Sequence, residues 1–120
     1  MADRAIYRLQ DMKAAIQEID ALLSGRTFDV MYGDKVVRAA FERFLEILSE
    51  ASRSVPDDWK KAAAPEIPWR RIADLGNHIR HAYHKLDAEL LWNVYEDHLG
   101  ALEAAVDDML VKHAPERDLT

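Results

Sequence analysis

A chain of 120 residues with a net charge of −6, 49% hydrophobic and 32% charged, is long enough for one core and too short for two well-buried ones. No apolar run approaches the roughly 20 residues of a membrane span, no signal-peptide core opens the chain, and the absence of cysteine excludes disulfides and thiolate metal sites, so the expected location is the cytoplasm. The acidic balance argues against a protein that coats nucleic acid through a broadly basic surface.

The first predicted helix runs from about Asp3 to Ser24, because Ile6, Leu9, Met12, Ile16, Ile19 and Leu23 recur at three- and four-residue steps and Gly25 comes next, in the position that so often ends a helix. A turn over 25–29 leads to the longest pattern, in which Val37, Phe41, Phe44, Leu48, Ala51 and Val55 form a heptad-like seam. Val36, Ala40, Leu45 and Ile47 widen that seam, so this helix is expected to touch more than one neighbour. Gly33-Asp34 either caps its start or interrupts a helix that begins near Asp29, and Pro56 ends it. Between Pro56 and Pro68 lie three of the four prolines and a possible single helical turn, Asp58 to Ala63, in a connector pinned by Trp59, Ile67 and Trp69.

The next helix, about 69–85, holds three of the five histidines. Pro68 suits its first turn, and Asp87 is a good N-cap for the last helix of the chain. Ile72, Leu75, Ile79, Ala82 and Leu86 form its apolar stripe, while Arg70, Asn77, Arg80, His81 and His84 fall in the polar sector, with Tyr83 between the two. From Trp69 to Lys85, Arg70, Arg71, Arg80 and Lys85 outweigh Asp74, a local +3 that leaves −9 for the rest. A last helix from about Ala88 to Lys112 carries the stripe Leu91, Tyr95, Leu99, Leu102, Val106 and Met109. No strand pattern is present. The expected fold is an all-α antiparallel bundle of four helices with a short extra turn in the connector, one domain over 1–115 and a frayed tail over 116–120.

His78, His81 and His84 spell a metal-like string, but successive i, i+3 steps on a straight helix leave His78 and His84 120° apart, too divergent to share one ion with His81. No metal or other cofactor is expected, and neither a phosphate-binding glycine loop nor a serine elbow occurs. The remaining cluster is Asn77, Arg80, His81 and Tyr83. Arginine binds phosphate with a fork of donors and histidine exchanges a proton near neutral pH, which together suit phosphodiester cleavage. A solvated polar face of no function is the competing reading of the same residues.

With Ile-Leu-Ser-Glu-Ala at 47–51, Ile-Pro-Trp-Arg at 67–70, His81-Ala82-Tyr83, Asp87 and Trp92, the chain resembles the HepT-like branch of the HEPN superfamily, toxin-side partners of MNT nucleotidyltransferases. The resemblance implies a homodimer in which two motif helices face a shared cleft, and metal-independent cleavage of RNA. The motif is arginine, a polar residue, three variable residues, histidine, one variable residue and tyrosine. It falls on Gly76, Asn77, His81 and Tyr83, so the arginine is missing. Arg80, one turn above Gly76, is expected to supply the cation. The resemblance further implies His81 as general acid–base, Asn77 as an orienting residue and Tyr83 as the site where the nucleotidyltransferase antitoxin attaches AMP; Arg70 and His84 are expected to help bind RNA. Gly76 equally suits a catalytically inactive binding module of the same fold.

Overall fold

The structure, a computed structural model, describes residues 2–82 and 84–114. Among these every regular element is helical: α1 (Ala2–Leu23), α2 (Phe28–Gly33), α3 (Lys35–Ser52), α4 (Asp57–Ala63), α5 (Trp69–Arg80), α6 (Lys85–Asn93), a π-helical turn (Val94–His98) and α7 (Leu99–His113). The fold is all-α as expected, but the described chain has more than four helical pieces. Three of the four anticipated helices are divided or shortened, and each break has a local cause.

All six stripe residues of α1 are buried. The helix stops where Gly25 takes φ +80, a left-handed conformation that a residue with a Cβ rarely adopts. The choice at Gly33-Asp34 resolves as an interruption. Asp34 is extended, and its carboxylate accepts from the N–H groups of Val36 (3.0 Å) and Val37 (3.2 Å), so it ends α2 and caps α3. On α3, Val37, Phe41, Leu45, Leu48 and Ala51 are buried, with Leu45 taking the core position that the heptad reading assigns to Phe44, which is half-buried. α3 is the central helix: α1 packs on one side of it and α5 on another, and α7 closes against α1. The Lys13–Asp107 ion pair joins α1 to α7.

α3 ends at Ser52 rather than at Pro56. The chain tightens through Arg53, Ser54 and Val55, whose N–H groups reach back three residues, and the buried Lys60 amine donates to the Ser52 carbonyl at 3.1 Å. That amine also pairs with Asp57 at 3.4 Å and lies 5.7 Å from the Trp69 ring centre. Pro56 therefore begins α4 instead of ending α3. Trp69 Nε1 donates to Ala64 O at 2.9 Å, and Trp59 stacks flat on His113 at 3.7 Å, so the connector is fastened to both α5 and the end of α7. Lys60→Ala is expected to destabilise the fold by about 1 kcal/mol, because the Ser52 carbonyl loses one of its two donors and keeps only the Val55 N–H. Denaturant unfolding would show it, and a Lys60→Met protein as stable as wild type would mean the hydrogen bond contributes nothing.

The last two anticipated helices differ most from expectation. α5 stops at Arg80, so Ile72 and Leu75 are buried and Ile79 and Ala82 half-buried, but Leu86 lies beyond the break and is 68% exposed. The break arises because a second helix start competes for the same residues. His84 is the N-cap of α6, and the carboxylate of Asp87, three residues on, accepts its N–H at 3.0 Å; Asp87 thus stabilises the N-terminus from inside α6 rather than as the cap. Further on, Leu91, Tyr95 and Leu99 step by four twice, ahead of a 3.6-residue turn. The π-helical turn closes i→i+5 rings and so takes roughly one residue more, which returns Leu99, Leu102, Val106 and Met109 to the core. Trp92 fixes α6 in place by edge contacts with Phe28 (6.1 Å) and Phe41 (6.4 Å) and by donating to Glu96 at 2.8 Å.

One carboxylate of α3 titrates unusually. Burial raises the Glu42 carboxyl above its ordinary range; Arg38 opposes this and Glu46 adds to it. The folded chain holds that proton to higher pH than the unfolded chain does, so stability falls as pH rises through the window between the two. Glu42→Gln is expected to raise the thermal midpoint at neutral pH and leave it unchanged below the carboxylate range. Midpoints that match wild type at both pH values would remove the effect.

Candidate functional site

The polar cluster sits where α5 ends. Asn77, Arg80 and His81 are all exposed there, and Arg80 Nη2 donates to Asn77 Oδ1 at 3.3 Å. His81 is the C-cap residue, with φ −117 and ψ 20, and its N–H reaches the His78 carbonyl at 3.1 Å. The imidazole is thus carried by the residue that caps a packed helix, at the start of a bend. His84 stands on the far side of that bend as the α6 N-cap, exposed. Tyr83 lies outside the described residues. Arg70 is in the first turn of α5, ten residues from Arg80 and therefore about 15 Å away along the axis, so the structure does not bring it to the cluster.

Gly76, where the resemblance implies an arginine, lies in a contact between helices. Gly76 N–H donates to Ser49 Oγ at 3.2 Å, and the same hydroxyl donates to Ala73 O at 3.0 Å. Arg53 Nε donates to that carbonyl too, at 3.1 Å, and its guanidinium lies 3.9 Å from Asp74. A Cβ on Gly76 would stand 3.8 Å from Ser49 Oγ, an ordinary contact. A side chain at 76 therefore starts out against α3, whereas Arg80 is on the exposed side and reaches back to Asn77. Ser49 and Arg53 escape the sequence reading: a serine inside an apolar seam looks like a tolerated small residue, and nothing local signals that its hydroxyl grips a neighbouring helix.

On another side of α5, between that helix and α6 with the π-helical turn, lies a groove of about 290 Å³. His78 is on its wall, and His84 is separated from His78 by the break. Among the described residues no group of three or more His, Asp or Glu side chains is placed to hold a metal ion, and no helix is long and apolar enough to cross a membrane.

Residues 12–109 match the HepT-like ribonuclease family, a span that runs from within α1 to near the end of α7 and contains the whole cluster. The chain belongs to that family. It is 33% identical over 101 residues to a Thermococcus cleftensis protein named "Probable ribonuclease HepT", covering 84% of this chain and 91% of the relative. It is 28% identical over 100 residues to a Caldanaerobacter subterraneus protein (81% and 88% covered) and 26% over 99 residues to one from Methanocaldococcus jannaschii (82% and 90% covered), each named "Putative RNase". No solved structure matches. Within that span Asn77 and His81 fall on the last turn and cap of α5, in the exposed cluster, while Gly76 packs on α3.

Proposed function

We propose that the chain is a metal-independent endoribonuclease toxin that acts on RNA as a homodimer, with His81 as general acid–base, Arg80 as phosphate binder and Asn77 holding the arginine. The observation that carries this reading is the Arg80–Asn77 hydrogen bond beside His81 at the exposed end of α5, inside the span of the family match. The chemistry balances without a metal: a base takes the proton from the ribose 2′-hydroxyl, that oxygen attacks the adjacent phosphorus, the bond to the 5′-oxygen breaks, and an acid returns a proton to the leaving oxygen. Each strand break leaves a 2′,3′-cyclic phosphate and a 5′-hydroxyl. A two-fold pair of motif helices would present two His81 side chains to one cleft, one for each proton transfer.

The partner in this reading is an MNT-type nucleotidyltransferase antitoxin that attaches AMP to Tyr83, two residues after His81. An adenylate there would set negative charge beside Arg80 and compete with RNA phosphate for its donors. The test of activity is labelled RNA incubated with purified protein in excess chelator: cyclic-phosphate ends are expected, and intact RNA would remove the enzymatic reading. The test of control is intact mass after incubation with partner and ATP, where an adenylate that persists in Tyr83→Phe would remove the tyrosine.

Gly76 in place of the motif arginine favours a second reading, a catalytically inactive module that docks the nucleotidyltransferase or RNA. Binding without cleavage at any concentration selects it.

The dimer has its own test. Leu86 is 68% exposed immediately beyond the His81–His84 bend, and Val36 at the start of α3 is 78% exposed, so apolar surface lies uncovered in the monomer. Sedimentation equilibrium is expected to show a dimer at micromolar concentration and Leu86→Glu to weaken it. A wild-type protein that stays monomeric would remove the dimer and the shared cleft together.

A further inference from the structure

The α5–α6 groove has the make-up of a ligand site that the cleavage chemistry does not use. Its floor is apolar, formed by Ile72 and Leu75 of α5 with Leu91 and Val94 across from them. Its rim is mainly polar: Arg71 and His78 come from α5, Asp87 and Asn93 from α6 with the exposed Leu90 between them, and Asp97 and His98 from the π-helical turn. Apart from Asp87, whose carboxylate accepts the His84 N–H, the polar side chains of this rim make no hydrogen bond or ion pair among the described residues, and all but the half-buried His98 are exposed, so their donors and acceptors are open to a ligand. The backbone that brings Asn93, Asp97 and His98 to the same rim is the π-helical turn, an irregularity that occurs often at functional sites.

We infer that this groove is a base-binding subsite for a nucleotide flanking the scissile phosphate, with preference for guanine. The proposal deepens the ribonuclease reading and rests on it for the RNA. An apolar slot takes the flat face of a base, and the rim then meets its edges. Asp97 offers two acceptors, and guanine is the base whose Watson–Crick edge offers two parallel donors, N1–H and the 2-amino group. His78 and His98 can donate to the O6 and N7 acceptors on the other edge, and Arg71 stands at the mouth for the phosphate. The placement suits a neighbouring nucleotide, because His78 on the groove wall and His81 in the cluster are three residues apart, about 4.5 Å along the axis. The carbonyl of His78 receives the His81 N–H, so groove and cluster share one turn of backbone.

The test is NMR of the His78 and His98 ring protons in the full chain during titration with GMP and with UMP. GMP is expected to shift both resonances and to bind about tenfold more tightly than UMP, a difference that Asp97→Asn abolishes. Arg71→Ala should weaken GMP without weakening guanosine. A short 2′-O-methyl RNA containing guanosine, which lacks the attacking hydroxyl, should compete with GMP; failure to compete would turn the groove into a site for free nucleotide and overturn the RNA subsite. Resonances that move with protein concentration instead of nucleotide would mean that a second copy fills the groove, and would also overturn it. The two readings fail separately. Shifts with GMP but no RNA cleavage would keep a guanine site in the groove and remove the ribonuclease and with it the scissile phosphate, whereas cleavage with no response of His78 and His98 to GMP would remove the subsite alone.

Discussion

His81→Ala is expected to reduce RNA cleavage by a factor of about 10²–10⁴, the range typical of a lost general acid or base, while the fold is unaffected. The effect should be isolated for a structural reason. His81 comes directly after the last residue of α5, it is exposed, and its backbone N–H already bonds the His78 and Ile79 carbonyls, a role that alanine fills as well. The substitution removes the imidazole and its contacts and leaves the backbone cap in place. Cleavage of labelled RNA and thermal unfolding measured on the same preparations check both halves of the claim. An active His81→Ala protein would take the proton transfers away from this residue, and a cleavage loss accompanied by a large fall in thermal midpoint would reduce it to a folding defect. His84→Ala makes the informative control. It is three residues away across the bend and is the N-cap of α6, so its loss is expected to loosen the start of that helix more than it alters chemistry.

Much of this arrangement is readable from residue order because it depends on short-range pattern. The α1 stripe, Ile72 and Leu75 on α5, and Leu102, Val106 and Met109 on α7 all go to the core, since helical periodicity and burial of apolar side chains determine them together. The exposed cluster at Asn77, Arg80 and His81 is legible for the same reason: these residues point away from that stripe. The breaks are less legible. A continuous stripe from Ile72 to Leu86 suggests one helix, and the N-terminal signal at His84 and Asp87 reads as a single cap at Asp87, so the pattern runs α5 on to about residue 85 where it stops at Arg80. The π-helical turn is visible only as two successive four-residue steps, which a gently curved helix would also produce. What residue order does not contain is the meeting of distant side chains. The Ser49 hydroxyl on the backbone of α5 and the Lys60 amine on the end of α3 depend on how α3, α4 and α5 pack, and no local pattern announces either.

Arg80→Ala is expected to lower cleavage about 10²–10³-fold, as removal of one preorganised donor to a developing anion does in other enzymes, and to leave thermal stability nearly unchanged. The need for a cation at this place comes from where the site lies. A helix C-terminus carries partial negative charge, so a phosphate approaching His81 meets the unfavourable end of α5 in a chain whose net charge is already −6. Arg80 is the guanidinium positioned to offset that, since Arg70 and Arg71 are both at the opposite end of the helix. Its bond to Asn77 uses one donor of five and holds the fork in place, so Asn77→Ala should weaken substrate binding by less than Arg80→Ala does. Restoring the motif arginine at position 76 gives the converse measurement. Gly76→Arg should fold, because the glycine is helical and a Cβ there meets only Ser49 Oγ at 3.8 Å, and it should even gain up to about 1 kcal/mol from helix propensity. Its side chain, however, leaves from the face packed on α3, and the guanidinium must pass that contact to reach His81. Gly76→Arg is therefore expected to restore only a small part of the activity lost in Arg80→Ala. Full restoration, or an Arg80→Ala protein that cleaves as fast as wild type, would show that Arg80 does not stand in for the motif arginine.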